Sequence, residues 1–531
     1  MKNRRVLLSI MMVLFFGHIL NAQEKVKKKG PNIVVIFTDD HAFQAISAYG
    51  HPISKIAKTP NIDRLAEEGL LFKRAYVENS ICTPSRATLF TGLYSHQHGQ
   101  QLLGSRMDYS RTWFVELLQQ AGYQTSVFGK WHLSVEPKGF DYYHILADQG
   151  EYYNPRFRNP STNGKYVSEK GYATKLITDH ALEWIGEHST ADEPFCILVN
   201  HKAPHRNWMP DLNHIGLFTN DTFPEPETLF DEYESRGPQM QMQELTVANH
   251  LGFAFDLKVE ELKDEPTLQY IKDSWPMAMD PMDEKQRKAW DEAYKAQNKV
   301  FLENRPTGKE LTSWKYQRYI KDYCRTVRSV DEEVGRLVDY LEETGELDNT
   351  IIVYTSDQGF FLGEHGLYDK RFMYEEAFRT PLIIFYPDKI KKGMISNELV
   401  QNIDYAPTFL DVAGVKIPEE MAGKSLVPLF KNGKSKNWRE QLYYHFYDYP
   451  AVGNVRRHYG ISTDRYKLIH WYGKGFGNDP DIDSWELFDL KKDPTEIQNV
   501  YNEPKYANIQ QELKENLIKM RKDIGATEGS N

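Results

Sequence analysis

An α/β fold, with a largely parallel central sheet flanked by helices and a smaller C-terminal α+β subdomain containing an antiparallel sheet, is what this chain predicts. Three observations lead there. Short apolar, β-rich runs recur at 33–37, 125–128, 195–199, 351–354 and 382–385. Helical stretches separate them, and after about Trp438 the pattern changes to closely spaced short strands. Continuous apolar strands alternating with helices indicate a parallel sheet buried on both faces.

Each element follows from its local pattern. The clearest helix covers about 314–343, with apolar residues at Tyr316, Tyr319, Ile320, Tyr323, Val327, Val330, Val334, Leu337, Val338 and Leu341. That spacing is a helical repeat. Segments 442–447, 458–461, 466–472 and 485–488 read as antiparallel strands, and 509–520 as a closing amphipathic helix. Residues 224–306 are charged, Met-rich and weakly periodic, and read as an insertion of helices and loops. The expected organisation is a signal peptide at 1–22, a main domain at 23–437 and a C-terminal subdomain at 438–531.

The first 22 residues carry the signature of export. Lys2, Arg4 and Arg5 precede a short apolar run from Val6 to Ile19, and cleavage after Ala22 would leave Gln23 at the mature end. An uncleaved anchor is the alternative, because Leu20 is not the small residue of an ideal site. No second membrane segment follows, so the mature chain is expected to have no span and to be periplasmic or secreted. A formal charge of −10 without a long basic run argues against nucleic acid or an anionic membrane as partner. An anionic substrate would therefore need positive charge gathered inside a pocket.

Three cysteines in 531 residues exclude a disulfide-stapled scaffold. Cys196 lies in an apolar run and Cys324 in the periodic helix, so both read as core thiols. Cys82 stands apart in the polar, Pro-containing segment Cys82-Thr83-Pro84-Ser85-Arg86, which reads as a turn.

Ligands of open α/β sheets gather at the carboxyl ends of the strands. The first strand ends in Asp39-Asp40 and another in Asp357-Gln358. Three carboxylates and an amide oxygen form a hard-oxygen set suited to Ca²⁺ or Mg²⁺. Lys130 and His132 follow the second run, His201 and His205 the third, and Lys370 comes later. Cations and imidazoles converging there would neutralise an oxyanion and protonate a leaving oxygen. Cys82 as a plain thiol of a Cys–His hydrolase, with Arg86 lowering its pKa, is conceivable, but such a nucleophile has no use for metal-binding carboxylates.

The stretch from Cys82 through Ala87-Thr88 to Thr91-Gly92, together with Gly129-Lys130-Trp131-His132, resembles the type I sulfatases of the alkaline-phosphatase-like superfamily. The resemblance extends from about Pro31 to Asp493-Pro494. It implies that a maturase oxidises Cys82 to formylglycine, whose hydrate is the nucleophile. Asp39, Asp40, Asp357, Gln358 and modified Cys82 would hold Ca²⁺, and Arg86 the hydrate. Lys130 and His132 would flank it, with His132 assisting breakdown of the intermediate. His205 and Lys370 would bind the ester and help protonate the departing alcohol. Gln358 departs from the usual Asn or His of the family.

Residues 201–210, 356–366 and 457–460 look like those of bacterial N-acetylglucosamine-6-O-sulfatases that desulfate mucin and heparin-type glycans. The expected substrate is therefore a sulfated carbohydrate bearing N-acetylglucosamine 6-O-sulfate. His201, Arg206, Trp208, Arg457, His458 and His470 are candidates to contact it, with Trp208 stacking on a sugar face. The alternatives are another sulfated sugar (a uronate 2-O-sulfate or marine polysaccharide), a phosphatase or phosphodiesterase of the same superfamily, or an inactive glycan-binding relative. The last would be expected to lack Cys82, Arg86 or a metal carboxylate, and all are present.

Overall fold

The computed structural model describes residues 30–189 and 192–526. The expected signal peptide and its cleavage point lie outside them. Among the described residues no helix is long and apolar enough to cross a membrane.

Ten strands form one mixed sheet. In chain order they are β1 (Asn32–Thr38), β2 (Leu70–Phe72), β3 (Gln124–Gly129), β4 (Tyr142–Leu146), β5 (Arg156–Arg158), β6 (Val167–Ser168), β7 (Phe195–Asn200), β8 (Thr350–Ser356), β9 (Leu382–Phe385) and β10 (Met394–Ser396). Across the sheet they run β10-β2-β9-β8-β1-β7-β3-β4-β5-β6. The centre, β8-β1-β7-β3-β4, is parallel as expected. The run at 382–385 is the exception, because β9 pairs antiparallel with β8.

Alternate residues of β1 serve opposite cores, which explains its unbroken apolar sequence. Ile33, Val35 and Phe37 pack with Ala87, Leu89 and Phe90 of α1 (Cys82–Thr91). Val34 and Ile36 pack with Val330, Val334 and Leu337 of α2 (Gly308–Glu343), the helix that the repeat at 314–343 predicts.

Strands β11 (Gln441–Phe446), β12 (His458–Thr463), β13 (Tyr466–Gly473) and β14 (Ile482–Asp489) form the antiparallel C-terminal sheet in sequential order. One face lies under α3 (Ala507–Asp523) through Leu513 and Leu517. From the other, Leu442, Tyr444, Phe446 and Trp471 enter the same core as Cys82, Tyr319 and Tyr374. The C-terminal sheet thus braces the region behind the cysteine.

Ile36 is fully buried at the centre of the sheet. Ile36→Ala should cost about 2–5 kcal/mol through lost transfer energy and a cavity. A lowered thermal midpoint checks this, and an unchanged midpoint would contradict the packing described.

Candidate active site

Parallel pairing brings two acidic strand ends side by side. Thr38 is in register with Ser356, so Asp39-Asp40 and Asp357-Gln358 leave the sheet together. The Asp40 amide donates to Asp357 Oδ1 at 3.0 Å. Cys82 is the first residue of α1 rather than part of a turn. Pro84 does not prevent this, since a first-turn residue needs no intrahelical donor. Two neighbours in the motif fix the helix against the acidic end. The Ser85 hydroxyl donates to the Asp357 carbonyl and accepts from the Asn402 amide at 3.0 Å. The Arg86 guanidinium reaches Asp357 Oδ2 at 3.1 Å, Asp39 Oδ1 at 3.7 Å and the Lys130 carbonyl at 3.1 Å.

The cations arrive from other strand ends. Lys130 pairs with Asp39 and donates to Gln149 Oε1 at 2.6 Å. The turn that delivers it requires Gly129, whose φ is +89° and whose Cβ would lie 2.1 Å from the Asn200 carbonyl oxygen. Lys370 reaches both oxygens of Asp40, at 2.6 and 2.7 Å. His205 Nδ1 donates to the Arg206 carbonyl at 2.6 Å, which leaves the Nε2 lone pair facing Asp40 Oδ2 at 3.8 Å. The Gln149 amide, 3.0 Å from His132 Nε2, likewise makes that nitrogen an acceptor. Asp40, His132, Asp369 and Arg371 all adopt positive φ. Such backbone costs about 1–3 kcal/mol per residue and clusters where geometry serves chemistry.

Electrostatics at this floor are severe. Burial pushes Asp39 up, but Lys130, His205 and Arg86 outweigh it and hold the carboxyl well below its ordinary value. Asp40 is raised to about 6 by burial and by the charge of Asp39, in spite of Lys370. Asp357 is pushed well above the carboxylate range by burial, then by Asp39. Three cationic side chains therefore do not fully compensate three carboxylates. Gln358 Oε1 and Asp39 Oδ1 are buried with no hydrogen-bond partner. These orphaned hard oxygens, with Asp40 and Asp357, fit a divalent cation such as Ca²⁺, and Asp39, Asp40 and His205 also converge as a possible metal cluster. Burial raises the Cys82 thiol, which disfavours the thiolate that a Cys–His hydrolase would need.

Two hollows adjoin the side chains around this floor. One, of about 370 Å³, is lined by His205, Lys370, Arg371, Lys202, Tyr152 and Arg206 among others. The other, of about 590 Å³, is lined by His132 and Thr83 among others, and Leu103, Asp148 and Gln149 belong to both. Arg86, Lys130, His205 and Lys370 thus face the carboxylates, His132 is linked to Lys130 through Gln149, and Cys82 feels the charges of Lys130 and Lys370.

The candidate sugar contacts fare differently. Trp208 is fully buried against Tyr319 and cannot stack on a sugar. His458 is also fully buried, packed on Trp471, with Nε2 accepting the Met373 amide. His201 is buried beside β1, where its amide donates to the Phe37 carbonyl. Arg457 donates to the carbonyls of Tyr447 and Tyr449, and His470 stacks on Trp485. Neither lines either hollow. Only Arg206 reaches a hollow. Sequence reasoning missed Gln149, Lys202, Arg371, Tyr152 and Tyr270. Gln149 follows β4, whose mixed Tyr-Tyr-His-Ile-Leu sequence gives no continuous apolar signal.

A buried cysteine at a helix start, carboxylates at parallel strand ends and cations around both define an alkaline-phosphatase-like hydrolase of oxyanion esters. Residues 31–415 match the family described as Sulfatase, and 363–523 that described as N-sulphoglucosamine sulphohydrolase, C-terminal. The chain belongs to the sulfatase family and is a sulfuric ester hydrolase. It is 47% identical to an N-acetylglucosamine-6-O-sulfatase of Bacteroides thetaiotaomicron, over 94% of this chain and 88% of that protein. An arylsulfatase of Clostridium perfringens is 27% identical over 94% of this chain and 96% of its own length. A solved structure of a protein in complex with its substrate D-glucosamine-2-N,6-O-disulfate superposes with a TM-score of 0.87. It has 46% identity and covers 93% of this chain and 98% of that one.

The insertion contributes a wall to the first hollow. Arg206 binds both oxygens of Asp256 at 2.7 Å and Tyr270 Oη at 3.1 Å, so its charge is matched within the protein. Tyr270 belongs to α-helical residues Gln269–Met279, which carry Met277 and Ala278 onto the same hollow. Asp256→Ala would leave a buried guanidinium unpaired and should destabilise by about 3–5 kcal/mol. Thermal melting of that variant checks this, and no loss would show that the pair does not hold the wall.

Proposed function

We propose that this sulfatase removes the 6-O-sulfate of N-acetylglucosamine, or of the related N-sulfated glucosamine, in mucin or heparin-type glycans. The observation that carries the reading is the buried Cys82, which feels the charges of Lys130, Lys370, Asp39 and Asp357, in a chain aligned along 94% of its length with an N-acetylglucosamine-6-O-sulfatase. In this reading Cys82 is matured to formylglycine by a separate maturase. Asp39, Asp40, Asp357 and Gln358 would hold Ca²⁺, which would supply Lewis-acid charge at the sulfate group. The aldehyde's hydrate would supply two hydroxyls, one as the nucleophile that displaces the sugar alcohol from sulfur and one to give up the proton whose loss regenerates the aldehyde with release of sulfate.

The remaining side chains divide the work by position. Arg86 and Lys130 neutralise the anion over Cys82. Lys370 and His205 flank the departing oxygen. Burial pulls Lys370 down, but the charges of Asp40 and Asp369 raise it well above its ordinary value, so it stays cationic and donates to the forming alkoxide. His132 Nε2 is the acceptor for the proton of the second hydroxyl once the Gln149 amide that occupies it is displaced. Burial, then the charge of Lys130, holds His132 well below the usual imidazole range, so it begins neutral. Export to the periplasm or beyond, after cleavage behind Ala22, would place the enzyme where polymeric glycans are met.

Sulfate release from N-acetylglucosamine-6-sulfate by matured protein with Ca²⁺ is the expected outcome, with at least tenfold lower kcat/KM on a uronate 2-O-sulfate. The reverse preference would reject the sugar assignment. Cys82→Ser should retain the circular dichroism spectrum and lose turnover by more than a thousandfold, because it lacks the second hydroxyl. Full activity in that variant would reject the formylglycine route.

A further inference from the structure

The second hollow touches the chemistry above only through His132, and it adjoins the first through the shared residues Leu103, Asp148 and Gln149. Each volume, about 370 and 590 Å³, falls in the ~300–1,000 Å³ range of ligand pockets, so either holds a sugar unit. His205 and Lys370 line the first, which therefore takes the sugar that loses its sulfate. We infer that the second hollow, walled by Arg106, Arg158 and Tyr166, is a subsite for the neighbouring sugar of the glycan chain and prefers one bearing a carboxylate or sulfate. This rests on the sulfated-glucosamine reading of the first hollow.

Three features support the assignment. Tyr166 is 42% exposed and forms part of the wall, an arrangement suited to packing against a sugar ring. Its ring is held in place from behind. The Arg158 guanidinium lies between the rings of Tyr143 and Tyr166, 5.6 Å from each, and Arg158 Nε donates to Tyr166 Oη at 3.1 Å. Glu136 accepts both terminal nitrogens of Arg158, at 2.9 and 3.0 Å, so this arginine is a neutralised brace rather than a free charge. Arg106, by contrast, is exposed on the same wall, and among the described residues its side chain makes no hydrogen bond or ion pair. A stacking ring tied to a fixed brace, with one uncommitted guanidinium lining the same hollow, suits an anionic sugar. Nothing in the reaction of the first hollow calls for either residue.

The test compares three substrates on matured enzyme. One is 6-O-sulfated glucosamine alone. The second is the same unit at the non-reducing end of a disaccharide with a uronic acid, and the third is a disaccharide with a neutral galactose. The wild type should show kcat/KM at least tenfold higher for the uronate disaccharide than for the monosaccharide. Tyr166→Ala and Arg106→Ala should each bring that ratio near one while leaving monosaccharide turnover unchanged. Arg106→Lys should restore part of the preference. Equal gain from the galactose disaccharide would overturn the anionic preference, and a wild-type ratio of one would overturn the subsite. Equal losses on monosaccharide and disaccharide in the variants would make the residues structural and overturn it too. Failure of all three substrates would instead remove the glucosamine reading, and the subsite with it.

Discussion

Three carboxylates, Asp39, Asp40 and Asp357, share a floor that no water reaches, and their mutual repulsion is the constraint around which the site is arranged. Parallel pairing of β1 with β8 makes their proximity unavoidable, because strand ends in register leave the sheet at the same level. Each carboxylate has a cation brought from elsewhere: Lys130 for Asp39, Lys370 for Asp40 and Arg86 for Asp357. The compensation is incomplete, as the raised pKa of Asp40 and the unpartnered oxygens of Asp39 and Gln358 record. A site balanced in this way attracts a hard cation and, above it, an anionic sulfate ester. The same forces that make the floor costly to fold make it suited to sulfate.

The surroundings read as supports for that floor. Helix α1 holds Cys82 over it through Ser85 and Arg86, whose partners are the backbone and side chain of Asp357. The C-terminal sheet fills the space behind the cysteine, with Tyr444 Oη in contact with Ser80 and 3.0 Å from the Arg371 carbonyl. The change from a mixed to an antiparallel sheet after Trp438 is therefore a change of architecture within one shared core. The insertion has a legible role as well. Its helix at Gln269–Met279 closes one side of the first hollow and is tied to the centre through Arg206.

Much of this was written plainly in the sequence, for physical reasons. Asp39-Asp40 and Asp357-Gln358 stand out because they end unbroken apolar strands, and polar residues at that point must face either water or a ligand. Lys130 and His132 were legible behind Gly129 in the same way. The fates of Trp208 and His458 were not, since an aromatic ring packs equally well against a tyrosine or a sugar and only tertiary structure decides. A four-residue apolar run carries no direction, so the reversal of β9 was hidden. Helix α1 was hidden because Thr-Pro-Ser resembles a turn until its buried neighbours are known. Gln149, which bridges Lys130 and His132, follows a strand too mixed in sequence to be noticed.

The central claim is that the buried carboxylates are completed by one divalent cation, and metal content tests it most directly. Matured protein, purified in Ca²⁺ and passed through a desalting column, should retain close to one calcium per chain by elemental analysis. Exhaustive chelation should remove that calcium together with sulfate release, and returning Ca²⁺ should restore both. Protein that holds no divalent metal yet hydrolyses the sulfate ester at full rate would contradict the account.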